Sequence, residues 1–240
     1  MKLIASKQAS IRFAAILMLL LGSLSASAQY YMNIRKGDGT SVQYVVSEID
    51  SVWFSPAPQY VDLGLSVKWA TFNVGATAPE EAGDYFAWGE VQTKEEYKEN
   101  NYKWYNGGSY DIMKYNATDN KTTLDLDDDV ARVLWGGEWR MPTKDEFQEL
   151  MDNCTWVWKE NGYEVKSNKT DYADKSIFIP AAGVISGGEL GGVGALGYYW
   201  TSSLKDISVY AAHGVLFFSF TKSMTDFQRY DALTVRPVCP

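Results

Sequence analysis

Between Tyr60 and the C-terminus, only two stretches of this chain carry both a helix start and a helix stop, and both are short. Thr143 followed by Glu146 forms a capping box, in which the Thr oxygen and the Glu carboxylate reciprocally satisfy free backbone donors of a first turn. Phe147, Leu150 and Met151 then fall on one face. The other stretch begins in Asp127-Asp128-Asp129, offers Val130, Val133 and Leu134 to a core, and stops at Gly136-Gly137. That puts acids at the positive end of the helix dipole and glycine at the exit. The rest reads as strands joined by long connections: Ser176 to Pro180, Tyr198 to Ser202, Val209 to Ala212, Val215 to Phe220 and Leu233 to Val238. Few helices among many short strands predict an α+β fold with an antiparallel sheet.

Three segments precede or open that region. Lys2, Lys7 and Arg12, the apolar run Phe13 to Leu21 and the small residues Ala26-Ser27-Ala28 spell an export signal over residues 1–28. The apolar run is shorter than the roughly 20 residues a bilayer span needs, and no cysteine follows it to carry a lipid. The expected product is a released chain with no transmembrane segment, in the medium, on the outer cell surface or in the periplasm. Residues 29–55 read as a small β unit: Tyr31 to Arg35 and Val42 to Val45 flank a Gly37-Asp38-Gly39 turn, and Ile49 to Phe54 reads as a third strand. Ser55-Pro56-Ala57-Pro58-Gln59 then acts as a linker, because each proline removes a donor and stiffens the path. The main domain spans residues 60–240.

Charge and histidine content narrow the function. Removing the three basic groups of residues 1–28 takes the formal net charge from −8 to −11, which disfavours nucleic acid and anionic membranes as partners. The single histidine, His213, precludes a multi-histidine zinc site and leaves little room for histidine catalysis. Nine Trp, sixteen Tyr and ten Phe suit both a packed core and a stacking surface.

Cys154 and Cys239 are the only cysteines. In an oxidising compartment a bridge between them is the expectation, closing a loop of about 85 residues worth on the order of 4 kcal/mol. It would tie the C-terminal strand to the domain centre.

Several blocks, in order, resemble a known family. Tyr60-Val61-Asp62-Leu63-Gly64-Leu65-Ser66-Val67-Lys68-Trp69-Ala70 continues to Asn73-Val74-Gly75-Ala76, and Gly83 to Glu90, Trp139 to Thr143, Ile179 to Gly183, Gly197 to Ser203 and Val235 to Cys239 follow. Together they resemble the Fibrobacter succinogenes major paralogous domain, a family of secreted bacterial domains, over residues 60–240. The resemblance implies a C-type-lectin-like fold, shared by adhesins, sugar binders and the formylglycine-generating oxidases. Asp38-Gly39-Thr40 and Ile49-Asp50-Ser51 also resemble leader segments on surface proteins of related Gram-negative bacteria. Fold alone does not settle function.

The chemistries that such a fold hosts can be weighed residue by residue. The short signatures of calcium-mediated sugar binding, Glu-Pro-Asn or Gln-Pro-Asp with Trp-Asn-Asp, are absent. Asp125, Asp127, Asp128 and Asp129 are the residues that could hold Ca²⁺ through hard oxygen ligands, although their place before a helix also makes them cap and dipole partners. Oxidase chemistry needs reactive cysteines close together near the chain end, and only Cys239 lies there. Gly192-Val193-Gly194-Ala195-Leu196-Gly197 spells a dinucleotide fingerprint but is followed by strand-like Tyr198-Tyr199-Trp200, so it marks a glycine-rich loop. The aromatic stretch Tyr97, Tyr102, Trp104, Tyr105, Tyr110 and Tyr115 is interleaved with Asn, Lys and Gly rather than spaced on one apolar face. Exposed rings on polar loops suit stacking, which makes Tyr102, Trp104, Tyr105 and Tyr110 the candidate binding face. Trp69, Trp139 and Trp200 sit among strand and turn residues and read as core, while Arg140 and Arg236 read as partners of buried acids or carbonyls. The sequence thus predicts an exported, non-catalytic, lectin-like binder of an extracellular glycan or protein. The rival is a subunit of a surface assembly, docked by its N-terminal strands.

Overall fold

The computed structural model describes residues 29–50, 52, 57–107, 111–205 and 210–240. The export signal, Tyr110 and parts of the linker and of the expected third strand lie outside the described residues. The chain divides into two units, residues 1–54 and 55–240. Among the described residues no helix is long and apolar enough to cross a membrane.

In the first unit, β1 (Tyr31–Arg35) pairs antiparallel with β2 (Ser41–Val45), Ile34 opposite Val42. The turn is held by Thr40, whose backbone N–H and hydroxyl both donate to Asp38 Oδ1. Ile49, Asp50 and Val52 are not in a strand, and the 3₁₀ turn Val46–Glu48 follows β2 directly.

The second unit is sheet-rich α+β. Its strands are β3 (Tyr60–Val61), β4 (Lys68–Ala70), β5 (Cys154–Lys159), β6 (Gly162–Ser167), β7 (Ser176–Pro180), β8 (Val184–Ser186), β9 (Glu189–Gly191), β10 (Gly197–Leu204), β11 (Ala211–Phe218), β12 (Thr221–Gln228) and β13 (Val238–Cys239). They form antiparallel sheets in the orders β13-β4-β3, β5-β6-β7, β8-β9 and β10-β11-β12. Its α-helices are α1 (Val130–Trp135) and α2 (Lys144–Asn153).

Successive side chains of a strand point to opposite faces, and β10 uses this to separate two cores. Tyr199 packs with Trp69, Phe147, Leu150, Val165 and Phe217 on one side. Trp200, its neighbour, packs with Phe86, Trp88, Tyr115, Met141 and Leu233 on the other. Helix α2 closes the first core: the Thr143–Glu146 capping box forms as expected, and Phe147, Leu150 and Met151 are buried, the first two contributing roughly 1.5–3 kcal/mol each. Helix α1 begins at the Asp129 cap and ends at Gly136, whose φ of 68° only glycine adopts without strain. Its apolar face differs from the expectation. Val130 and Ala131 are buried, but Val133 and Leu134 stay about half exposed, because a six-residue helix leaves the core after its first turn.

Of the two strands expected separately, Val209 to Ala212 and Val215 to Phe220, the described parts Ala211–Ala212 and Val215–Phe218 belong to the single strand β11, Val209 lying outside the described residues, and the Leu233 to Val238 segment makes isolated bridges before β13. The β8–β9 hairpin turns at Gly187-Gly188, both with positive φ and with nothing within 4 Å of where a Cβ would sit. Its base is tied down by paired bonds between Ile185 and Ala232, and by Ser186 Oγ donating to Asp231 Oδ1 at 2.8 Å.

The expected disulfide is not present: Cys154 and Cys239 are both free and buried. Cys154 starts β5 opposite Ser167, with Glu149 and Lys169 nearby, whereas Cys239 in β13 lies opposite Lys68, near Glu138 and Arg140. The two thiols have different charged neighbours, and no bridge joins them. Burial pushes the Cys154 thiol up to about 11 and raises that of Cys239 as well. Both are therefore protonated at neutral pH. Iodoacetamide is expected to leave both unmodified in the native protein and to label both after unfolding in urea; a peptide joining Cys154 to Cys239 in a non-reducing digest would contradict the fold.

Candidate binding surface

Among the described residues of the aromatic stretch, three rings fold inward. Tyr97, Tyr102 and Tyr115 are all buried, 3% of Tyr102 remaining exposed. Tyr102 and Tyr115, together with Trp88, surround the Arg229 cation, while Tyr97 faces Lys94. The Arg229 guanidinium is 1% exposed and lies 4.8 Å from the ring centroid of Trp88, 5.3 Å from Tyr102 and 5.7 Å from Tyr115. Its Nε donates to Tyr102 Oη at 2.9 Å, and Tyr102 in turn donates to the Trp88 carbonyl at 2.7 Å. Removal from water lowers the Arg229 pKa, and burial raises that of Tyr102. Tyr102 thus has no face left for a ligand.

Trp104 is half-buried, with one side of its ring system already engaged. Lys103 Nζ and Lys114 Nζ stand 4.3 and 5.1 Å from its centroid, and Tyr115 meets it edge-on at 6.1 Å. Its indole Nε1 is buried without a hydrogen-bond partner. Tyr105 is half-buried and bridges to Ile112. Interleaved polar residues had suggested exposure, but the lysines cover the rings with cation–π contacts instead.

Asp125 and Asp128 converge on the Lys114 ammonium, while Asp129 is turned to backbone N–H groups. Asp125 pairs with Lys114 at 2.6 Å and Lys121 at 2.5 Å, and the hydrogen bonds from Lys114 and then Lys121 hold its carboxyl below the usual range. Asp128 is buried, which alone would raise its pKa, but Lys103, Lys114 and the Tyr115 hydroxyl outweigh this and lower it. Asp129 is raised by burial while capping α1 through Arg132 N and accepting from Met141 N at 2.8 Å. Asp127 is exposed. Among the described residues no group of three His, Cys, Asp or Glu side chains could hold a metal ion, so Asp125, Asp127 and Asp129 do not fit a calcium cage.

A different set of rings reaches the surface. Trp135 ends α1, the Gly136-Gly137 turn reverses the chain, and Trp139 comes back against Trp135 at 5.2 Å and 87°. Phe72 meets Trp135 from beneath at 5.5 Å, and Tyr60 of β3 flanks Trp139 at 6.5 Å. Trp135 and Trp139 are half-buried and Tyr60 is 54% exposed, with Lys68 Nζ 5.1 Å from its centroid. Trp139 therefore does not belong to the core, unlike Trp69 and Trp200, which are fully buried. The same short helix adds exposed Val133 and Leu134, and Glu138 supplies an exposed carboxylate beside Trp139. An apolar, aromatic patch rimmed by charge is what a ligand-binding surface requires. The pattern Trp135-Gly-Gly-Glu-Trp139 was its sequence signal, two rings brought face to edge by a glycine reversal.

The chain matches no protein-family model, and comparison with curated proteins and with solved structures gave no match either.

Proposed function

We propose that this chain is an exported, non-catalytic binding protein. In this reading its second unit is a C-type-lectin-like domain of the Fibrobacter succinogenes major paralogous family, and it holds an extracellular glycan or protein on the Tyr60, Trp135 and Trp139 surface. The observation that carries the reading is the exposed ring strip itself: two half-buried indoles and a tyrosine, anchored from below by Phe72. Rigid rings offer large contact area at low entropic cost, and such residues dominate binding hot spots. The protonated, buried thiols also favour a binder over an oxidase, because thiolates carry oxidase chemistry.

A glycan array probed with the residue 29–240 protein, with Ca²⁺ and with chelator, tests this. Discrete hits are expected, weakened about 30-fold by Trp135→Ala or Trp139→Ala and unchanged by chelator, since Asp125, Asp128 and Asp129 are engaged by lysines and backbone N–H groups. A blank array on folded protein would remove glycans as the ligand class.

A second reading, a subunit of a surface assembly, draws on one observation. The first unit is a two-stranded hairpin with Tyr31, Ile34 and Tyr44 each 46% exposed. Such a hairpin is marginal in water by itself and leaves strand edges open.

A further inference from the structure

On the second unit, β7 is the edge strand of its sheet, and a groove of about 640 Å³ runs beside it. Ser176 and Phe178 of β7 line one wall, and Val61 and Thr71 line another. Val165 and Ile177, and Tyr163 and Ile179, are opposed pairs across β6 and β7. Phe178 O, by contrast, points away from β6 and accepts from Arg236 Nη2 at 2.8 Å. The alternation of an antiparallel ladder then turns the Ser176 N–H and C=O and the Phe178 N–H outward too. The rim beyond carries Glu80 and Glu160, both exposed. Near them Glu164 is already paired with Lys159 at 3.1 Å and Lys166 at 3.3 Å.

The first unit has the complementary edge. Backbone bonds from Val46 N to Tyr30 O and from Lys36 N to Thr40 O set the hairpin's phase. Residues 31, 33 and 35 therefore direct their N–H and C=O groups away from β2. This edge is short and extended, with apolar Met32 and Ile34 on one face, and it ends in the exposed cations Arg35 and Lys36.

We propose that the groove beside β7 is an acceptor for an added strand, and that the strand is β1 of a second copy of this chain. Outward groups of Asn33 and Arg35 pair with the N–H and C=O of Ser176 and the N–H of Phe178, as in peptide recognition by strand addition, while the Phe178 carbonyl stays with Arg236. Parallel addition carries Arg35 and Lys36 toward the β5–β6 turn, where Glu160 lies. Donor edge and acceptor groove are different surfaces, so the contact is head-to-tail and propagates unless it closes into a ring. The inference rests on the assembly reading and names its acceptor; it does not involve the ring strip.

Sedimentation velocity of the residue 29–240 protein over rising concentration tests it, together with amide hydrogen exchange. Self-association is expected, with Ser176 and Phe178 amides gaining protection as it proceeds. Arg35→Glu with Lys36→Glu should weaken association roughly tenfold, as should Glu80→Lys with Glu160→Lys, and combining all four should restore it. All four positions are exposed, and circular dichroism verifies that each variant folds. A monomer at every concentration, indifference to either charge reversal, failure of the combination to recover, or protection confined to other strands would each overturn the proposal. A monomeric chain that still needs its hairpin for incorporation at the cell surface would overturn the groove as acceptor while leaving the assembly reading in place.

Discussion

Arg236→Met is expected to cost about 3–5 kcal/mol of folding stability, the largest loss of any single substitution considered for this fold. Arg236 is fully buried, and among the described residues it faces no carboxylate. Its Nε donates to Asn73 Oδ1 at 2.8 Å, Nη1 to the Ala70 carbonyl at 2.9 Å and Nη2 to the Phe178 carbonyl at 2.8 Å. One side chain therefore ties β4 to β7 and both to the Asn73 turn. Burial pushes its pKa down to about 10, so it remains charged at neutral pH and donates from a fixed planar fork. Methionine fills the volume but leaves the Asn73 and Ala70 acceptors buried without donors and the half-buried Phe178 carbonyl without its partner. Lysine recovers little, because one ammonium cannot span three acceptors fixed by the fork. Urea denaturation should show the midpoint fall with an unchanged slope, and thermal melting should drop by on the order of 10 °C.

Arg229→Met is expected to cost about 3 kcal/mol by the same measurement, for a different reason. Here the guanidinium is stacked among Trp88, Tyr102 and Tyr115 and bonds the carbonyls of Lys114 and Tyr115 at 3.0 and 3.3 Å. Tyr115 has φ of 60°, a left-handed conformation that a bulky residue adopts only when its surroundings hold it there. Arg229 grips its carbonyl while Asp128 accepts from its hydroxyl at 2.6 Å. Losing the arginine frees the strained turn and leaves Tyr102 Oη without its donor. Near-ultraviolet circular dichroism should change with the loss. Ligand binding on the Trp135 and Trp139 strip should survive in whatever fraction remains folded, which separates a structural aromatic cluster from a binding one.

These two arginines show where the sequence could be read and where it could not. The Thr143–Glu146 box and the Asp129 and Gly136 ends of α1 are local devices, complete within a few residues, and all were legible. That Arg236 meets carbonyls was foreseen in kind, but its partners lie 58 to 166 residues away. The rings of Tyr102 and Tyr115 were misjudged because the cation they enclose, Arg229, is contributed from more than a hundred positions downstream. Strand β5 escaped notice because α2 runs straight into it at Cys154, with no glycine or proline to mark the change. Strand β12 escaped because it alternates mostly polar residues on an edge. The cysteines were judged by compartment, which says that a bridge would persist but not that two thiols meet.

The β8–β9 hairpin has one more implication, for what the chain can be made to carry. Its first strand is clamped through Ile185 and Ser186 to Ala232 and Asp231, while nothing lies within 4 Å of where a Cβ at Gly187 or Gly188 would sit. Lengthening a free tip costs only the slowly growing entropy of loop closure, and no packed neighbour has to move. This tip is thus the insertion point of the fold, where a peptide tag or a fluorescent reporter can be displayed with both cores left as they are.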